Sequence, residues 1–348
     1  MNVNDKTDFF QVVDNFAKTQ NVESLCIFEA EAKCEAKITI SIPTYKRVDT
    51  LKDTLESALN QEDYDSYLIY VIDNNPERDD ETELFMQQYK GGRVSYFKNA
   101  ENLGMGGNWN RCISLPYTEW VCLLHDDDTI DSNFMNEMTP YLDKLPNVGI
   151  LQSRKYRDRN HGYSNSFEIA YEKYNYLDFY NGNAIDVPSG IIYNRSKVLT
   201  LGGFNQDFYP SLDCVFSAFM SSKFNTFVIN NELTWYREGV TNSSKAIETQ
   251  RGWFVVDYYF TKYLLRKAGI PKYLAETFSE YRCILRAETD MKKWGTQFVP
   301  PTDKLPWKDH SKLLGRFLNG LLSRFIYKKR VIRSNKLNKR VEKDSEVK

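Results

Sequence analysis

Apolar positions along the chain change period at regular intervals, and the changes mark out elements. Lys37-Ile38-Thr39-Ile40-Ser41-Ile42 alternates with period two and reads as a strand ended by Pro43. Val48, Leu51, Leu55, Ala58 and Leu59 follow at helical spacing. Residues 67–72 form an apolar run stopped by Asp73-Asn74-Asn75-Pro76, the mark of a buried strand entering a turn. The series continues with a helical stretch at 80–89, a short strand at 94–97, a Gly-rich entry into a helix at 102–115 and a buried strand at 120–124. Strands alternating with helices predict an α/β fold with a mostly parallel, doubly wound sheet and helices on both faces.

Ligands of such sheets bind beyond the carboxyl ends of the strands. Thr44-Tyr45-Lys46-Arg47, Asp73-Asn74-Asn75, Glu101-Asn102 and Asp126-Asp127-Asp128 each follow a predicted strand, so they converge on one edge. After Gln152 the regularity loosens. Residues 153–184 are rich in Tyr and Asn and read as a mobile or substrate-facing connection; 185–193 resumes a strand pattern broken by Pro188-Ser189-Gly190. Short helices follow at 197–201, closed by Gly202-Gly203, and at 213–220. Residues 1–36 read as an amphipathic lead-in (Phe9, Phe10, Val12, Val13, Phe16) with no assigned chemistry.

With 348 residues, 41% of them hydrophobic, the chain is long enough for one large domain or a domain with an appendage. No run reaches the ~18 apolar residues of a spanning helix, and Met1-Asn2-Val3-Asn4-Asp5-Lys6 lacks a secretory pattern, so the expected location is cytoplasmic. Six scattered cysteines without a C-x-x-C pair, and the separated His125, His161 and His310, argue against a zinc module or disulfide framework. The balance of 46 basic and 47 acidic residues conceals an asymmetry. Between Ser311 and Arg340 there are ten basic residues and no acidic one, so against a total of −1 the rest of the chain carries −11.

Three consecutive carboxylates at a strand end repel one another unless a cation sits among them. A hard divalent ion, Mn²⁺ or Mg²⁺, resolves that repulsion and commonly bridges carboxylates to substrate phosphates. The alternative is a solvated acidic turn or a helix start. Asp73 is placed either to read a ribose or base or to make a turn. Gly104, Gly106 and Gly107 open a helix after a strand, where backbone amides can approach a phosphate. Neither a Walker A loop nor a G-x-G-x-x-G fingerprint is present.

The series 40–47, Val71-Ile72-Asp73-Asn74, Asn102-Leu103-Gly104 and Leu123-Leu124-His125-Asp126-Asp127-Asp128 resembles the family 2 glycosyltransferases of GT-A fold, over roughly Lys37 to Tyr236. That resemblance implies an inverting, metal-dependent transfer of a sugar from a nucleotide-diphosphate donor, a UDP-sugar first of all, to a glycan or lipid-linked acceptor in bacterial surface polysaccharide assembly. By the same match Pro43, Thr44, Tyr45, Arg47, Asp73, Asn102, Gly104, Asp126 and Asp127 would contact the donor. Asp126 and Asp128 form the D-x-D pair that would hold the metal. Pro188, Ser189 and Gly190 would lie near the acceptor and donor sugar. In the segment 202–213 Asp213 is the expected base, with Asp207 second in line, although Leu212 stands where relatives carry Glu. Gly239 replaces a His found downstream of Tyr236-Arg237 in many relatives, so either metal coordination leans on the aspartates, the diphosphate and water, or Arg237 neutralises the diphosphate instead.

Leu313, Leu314, Phe317, Leu318, Leu321, Leu322, Phe325 and Ile326 recur at helical spacing where the basic residues gather. An apolar stripe beside a polybasic segment suits an interfacial helix on an anionic membrane, peripheral on the inner face of the cell membrane. The other reading is a helix packed on the body. Nucleic acid is not expected, because no recognition motif accompanies the charge and the acidic body repels phosphate chains. The expected organisation is a lead-in at 1–36, a transferase domain at 37–245 (nucleotide-binding half 37–152, acceptor half 153–245) and a helical extension at 246–348. Two rivals stand beside the transferase: a nucleotidyltransferase, which would carry a Gly-rich loop where this chain has 43–47, and an inactive nucleotide-sugar-binding module, favoured by Leu212 and Gly239. Asn242-Ser243-Ser244 fits a glycosylation pattern by chance.

Overall fold

Alternation within single strands divides the interior in two. In the computed structural model, which describes residues 3–31, 35–157, 169–238, 247–294 and 312–346, a ten-stranded sheet carries a separate apolar core on each face. Its strands are β1 (Ser24–Phe28), β2 (Ile38–Thr44), β3 (Tyr67–Asp73), β4 (Val94–Asn99), β5 (Trp120–Leu123), β6 (Thr129–Ile130), β7 (Val148–Tyr156), β8 (Tyr171–Tyr174), β9 (Ile191–Asn194) and β10 (Asn225–Trp235). The helices are α1 (Val48–Leu59), α2 (Glu81–Met86), α3 (Gly104–Ser114), α4 (Phe134–Lys144), α5 (Arg195–Leu201), α6 (Leu212–Lys223), α7 (Ile247–Lys267), α8 (Lys272–Trp294) and α9 (Lys312–Glu346). Successive residues of a strand point to opposite faces. Tyr67, Ile69 and Val71 of β3 therefore join α1, α2 and α4 in one core, while Leu68, Tyr70 and Ile72 join α3, α5, α6 and α7 in the other.

The strand order is β1-β4-β3-β2-β5-β9-β7-β10-β6, with β8 pairing β10. β4, β3, β2 and β5 run parallel, as their helical crossovers require. The other half is mixed: β9 is antiparallel to both β5 and β7, β10 is parallel to β7, and β6 and β8 are antiparallel to β10. The first strand runs one residue past Pro43, to Thr44. Pairing with β5 has ended at Ser41, so the missing proline N–H falls beyond that ladder. The pattern at 185–193 becomes a strand only from Ile191; the preceding residues turn, and Gly190 takes φ +71°.

The lead-in is part of this architecture. Phe9 and Phe10 are buried against Phe208, Phe219, Phe260 and Tyr263, and β1 adds an antiparallel edge to β4. The Asn15 backbone N–H donates to the Gly202 carbonyl, and its side-chain amide reaches both Gly202 and Gly203. A Cβ at Gly202, which holds φ +82°, would lie 1.9 Å from the Val13 carbonyl oxygen. The lead-in backbone thus lies against the glycine pair that leads to Asp213.

α9 packs on the body through one side. Arg333 reaches Asp178 and the Lys173 carbonyl, the Ser334 hydroxyl accepts from the Lys173 N–H, and the Asn338 amide donates to the Tyr171 carbonyl. Ile326 is buried with Tyr180, Leu265 and Ala275. Among the described residues no helix is long and apolar enough to cross a membrane. Gly239 and the 242–244 triplet lie outside the described residues, as do His161 and His310.

Candidate active site

The carboxylates at 126–128 follow β5 after Leu124 and His125 and are almost wholly buried. Each has a different partner set. Asp126 accepts from the Thr44 hydroxyl at 2.8 Å and from Arg47 Nη1 at 3.4 Å, and the Tyr45 backbone N–H also bonds it. Asp127 accepts from the same Arg47 nitrogen at 2.9 Å. Asp128 Oδ1 accepts from the Arg237 backbone N–H at 3.0 Å, and its carboxylate also hydrogen-bonds Ser189. Asp128 Oδ2 is buried with no hydrogen-bond partner. Burial pushes Asp126 up to about 7, Arg47 working against it, and burial together with Asp127 pushes Asp128 up to about 6. Charging these groups here is costly, and a cation would remove that cost.

His125 completes the cluster. Its ring stacks on Trp109 at 5.0 Å, its Nε2 has no partner, and burial pushes it down to about 4. A neutral imidazole with an unused nitrogen is a metal ligand by nature. Ligand atoms of His125, Asp127 and Asp128 lie within 4.8 Å of one another. These residues fit a divalent cation. The sequence reading paired Asp126 with Asp128; in the structure Asp126 turns to Thr44 and Arg47, and the group gathered with Asp128 is His125 and Asp127. Behind the cluster Lys155, on β7, donates to the Val187 carbonyl at 2.6 Å; burial pushes it down to about 8, while Asp186 and Asp128 pull it up.

Pro188-Ser189-Gly190 sits beside this cluster. The fully buried Ser189 hydroxyl accepts from the His125 N–H at 3.0 Å, and the Gly190 N–H donates to the Leu123 carbonyl at 2.7 Å. A Cβ on Gly190 would lie 2.6 Å from Thr234 Oγ1, so no other residue fits this turn. Arg237 directs its guanidinium over the Trp235 ring at 4.8 Å and to Asp53 of α1 at 2.7 Å, while its backbone holds Asp128.

Other expected donor contacts have internal work. Asp73 is fully buried and accepts from Tyr96 Oη at 2.7 Å, Lys98 Nζ at 2.9 Å and the Asn75 N–H at 2.9 Å. Lys98, equally buried, also meets Asp80 at 2.7 Å. Asn102 Oδ1 accepts from the Gly104 N–H and from the Asn74 amide, and Asn74 Oδ1 accepts from Asn99, which also donates to Asn108. The Gly106 amide donates to Gln206 Oε1 at 2.7 Å, and a Cβ at Gly106 would come equally close to that oxygen. The first amides of α3 thus have protein acceptors, and its glycines admit Gln206. Tyr45 is 44% exposed and Pro43 lies in β2.

Asp213 occupies the first turn of α6, where free amides favour a carboxylate. It is partly buried, accepts from the Asn183 amide at 2.9 Å, and is pushed up to about 6 by burial against the opposing pull of its hydrogen bonds and Arg286. Asp207 is exposed and pairs with Lys18 at the surface. Leu212, where a second acid was expected, is fully buried in the core. One segment joins the two aspartate sites: Asn183 touches Asp213, and Ser189 touches Asp128.

Residues 39–202 match the family model described as "Glycosyl transferase family 2". A glycosyltransferase of Methanocaldococcus jannaschii is 25% identical over 182 residues, 51% of this chain and 61% of that protein. The GalNAc(5)-diNAcBac-PP-undecaprenol beta-1,3-glucosyltransferase of Campylobacter jejuni is 29% identical over 103 residues, 29% of this chain and 33% of the enzyme. The chain therefore spans less than two thirds of either relative. The structure of S. aureus TarS 1-349 in complex with UDP is similar at TM-score 0.52 and 15% identity, covering 75% of this chain and 72% of that one. The likeness establishes a shared GT-A fold.

Proposed function

We propose that this chain, whose residues 39–202 match the model of glycosyl transferase family 2, is an inverting, metal-dependent glycosyltransferase moving a sugar from a nucleotide diphosphate to an acceptor hydroxyl. The observation that carries the reading is the unpartnered Asp128 Oδ2 beside Asp127 and the unused His125 nitrogen, at the carboxyl end of β5. Held by Asp128, Asp127 and His125, Mn²⁺ or Mg²⁺ would supply the charge that neutralises a departing diphosphate. Arg47, tied to Asp126 and Asp127, offsets part of their charge on the side where a phosphate would approach. Thr44 and Tyr45 hold Asp126 for the donor's ribose. Asp73, Asn74 and Asn102 shape the pocket for the base through the asparagine network. Ser189 fixes Asp128, and Pro188 and Gly190 form the wall toward the sugar.

Asp213 is the base. At about 6 it is ionised at neutral pH yet basic enough to accept a proton. As the acceptor oxygen attacks the anomeric carbon from the face opposite the diphosphate, Asp213 takes the hydroxyl proton and the carbon–oxygen bond to the diphosphate breaks, its electron pair leaving with the phosphate. UDP is the first donor base to try, since the S. aureus neighbour was crystallised with UDP. A lipid-linked acceptor in bacterial surface glycan assembly accords with the undecaprenol carrier named for the Campylobacter relative. Incubating the protein with UDP-, GDP- and dTDP-sugars and Mn²⁺, and following donor hydrolysis, tests the reading: turnover of one donor supports it, and no binding or turnover of any defeats it. A nucleotidyltransferase would instead release pyrophosphate from a nucleoside triphosphate.

A further inference from the structure

We propose that the outward face of α9 docks the protein on a bilayer containing anionic lipid. Phe317, Leu321, Phe325 and Ile332 are 62%, 47%, 55% and 55% exposed, and with Tyr327 they make up half of the ten large hydrophobic residues that lie exposed among the described residues. At 3.6 residues per turn these four side chains fall within an arc of about 80°. That arc lies opposite the side that packs on the body through Ile326, Arg333 and Leu337. The exposed cations Arg324, Lys328, Lys336 and Lys339 fall within or beside the same arc, and no acidic residue occurs between Lys312 and Val341.

A solvated face does not require four large apolar side chains, and an acidic protein partner would not by itself explain them. A face that mixes aromatic and aliphatic groups with cations suits the boundary between anionic headgroups and acyl chains. The helix is already held by the body, so little ordering is needed on contact. Its basic side also balances an otherwise acidic chain, whose remaining residues an anionic surface would repel. Docking does not depend on which reaction the aspartate sites perform, so the two ideas fail separately.

The test is flotation of the full chain with phosphatidylcholine vesicles, with or without phosphatidylglycerol. The protein should bind the anionic vesicles, bind pure phosphatidylcholine far less, and be released at about 0.5 M salt. Phe317→Ser with Phe325→Ser should weaken binding at least about tenfold, and Lys328→Glu with Lys336→Glu should weaken it comparably. Both double variants should keep the wild-type circular dichroism melting curve and donor hydrolysis. Three results would overturn the proposal: no wild-type binding to anionic vesicles, unchanged binding by the double variants, or a wild-type dimer that Phe317→Ser with Phe325→Ser converts to monomer, which would assign the face to a second copy.

Discussion

The aspartates at 126–128 and the aspartate at 213 have the same chemistry in opposite surroundings. The first group is crowded, with three acids in sequence, an arginine across two of them, a buried lysine behind, and one carboxylate oxygen without a partner. Asp213 has no other acid beside it in sequence and sits at a helix start, with one asparagine bonded to it and Arg286 drawing on its charge. Crowding creates a need for an external cation. Solitude creates a titrating base whose affinity for a proton is set by burial and hydrogen bonds. Two substitutions of equal size should therefore have different signatures.

The largest effect is expected from Asp128→Asn. Removing several kcal/mol of charge stabilisation corresponds to roughly a thousandfold loss of transfer, and isothermal titration should show Mn²⁺-dependent donor binding lost as well. Asp213→Asn should lower turnover by about a hundredfold or more while the donor dissociation constant stays near the wild-type value. For the wild type, kcat/KM should fall roughly tenfold per pH unit once Asp213 is protonated, below about pH 6. Lys98→Met tests the scaffold beneath the donor side: it strips the buried Asp73 of its cation and should cost about 3–5 kcal/mol of stability, measured by denaturant unfolding. The mildest is Asn183→Ala. The Asn183 bond favours the charged form of Asp213, so its loss should move the acid limb of the pH profile upward, with donor binding unchanged.

What the sequence disclosed follows from the range of the forces involved. β2, β3 and β5 each bury every position and stop at polar clusters, so local pattern reveals both the strands and the edge where His125 to Asp128 emerge. β10 was hidden because Asn230, Asn231 and Glu232 interrupt its alternation where the register with β7 slips. The lead-in was hidden because Phe9 and Phe10 gain their burial from Phe260 and Tyr263, some 250 residues later. Within the site, Asp126, Asp128 and Asp213 were legible as motif residues. His125 was passed over as one of three scattered histidines; its position at the end of a buried strand, beside three acids, was the available signal. Asn74 and Asn102 were visible as polar residues after strands, whereas Lys98, Asn99 and Asn108 gave no local signal, since their partners come together only through the parallel crossovers.

The division of labour between the two aspartate sites is tested most directly by titrating the donor that the hydrolysis panel identifies, with and without Mn²⁺, into wild type, Asp128→Asn and Asp213→Asn. The expected result is Mn²⁺-dependent donor binding that Asp128→Asn loses and Asp213→Asn keeps, with transfer lowered by roughly a thousandfold in the first and by about a hundredfold or more in the second. Equal donor affinity in the presence and absence of Mn²⁺ for the wild type, or full transfer by Asp213→Asn, would contradict it.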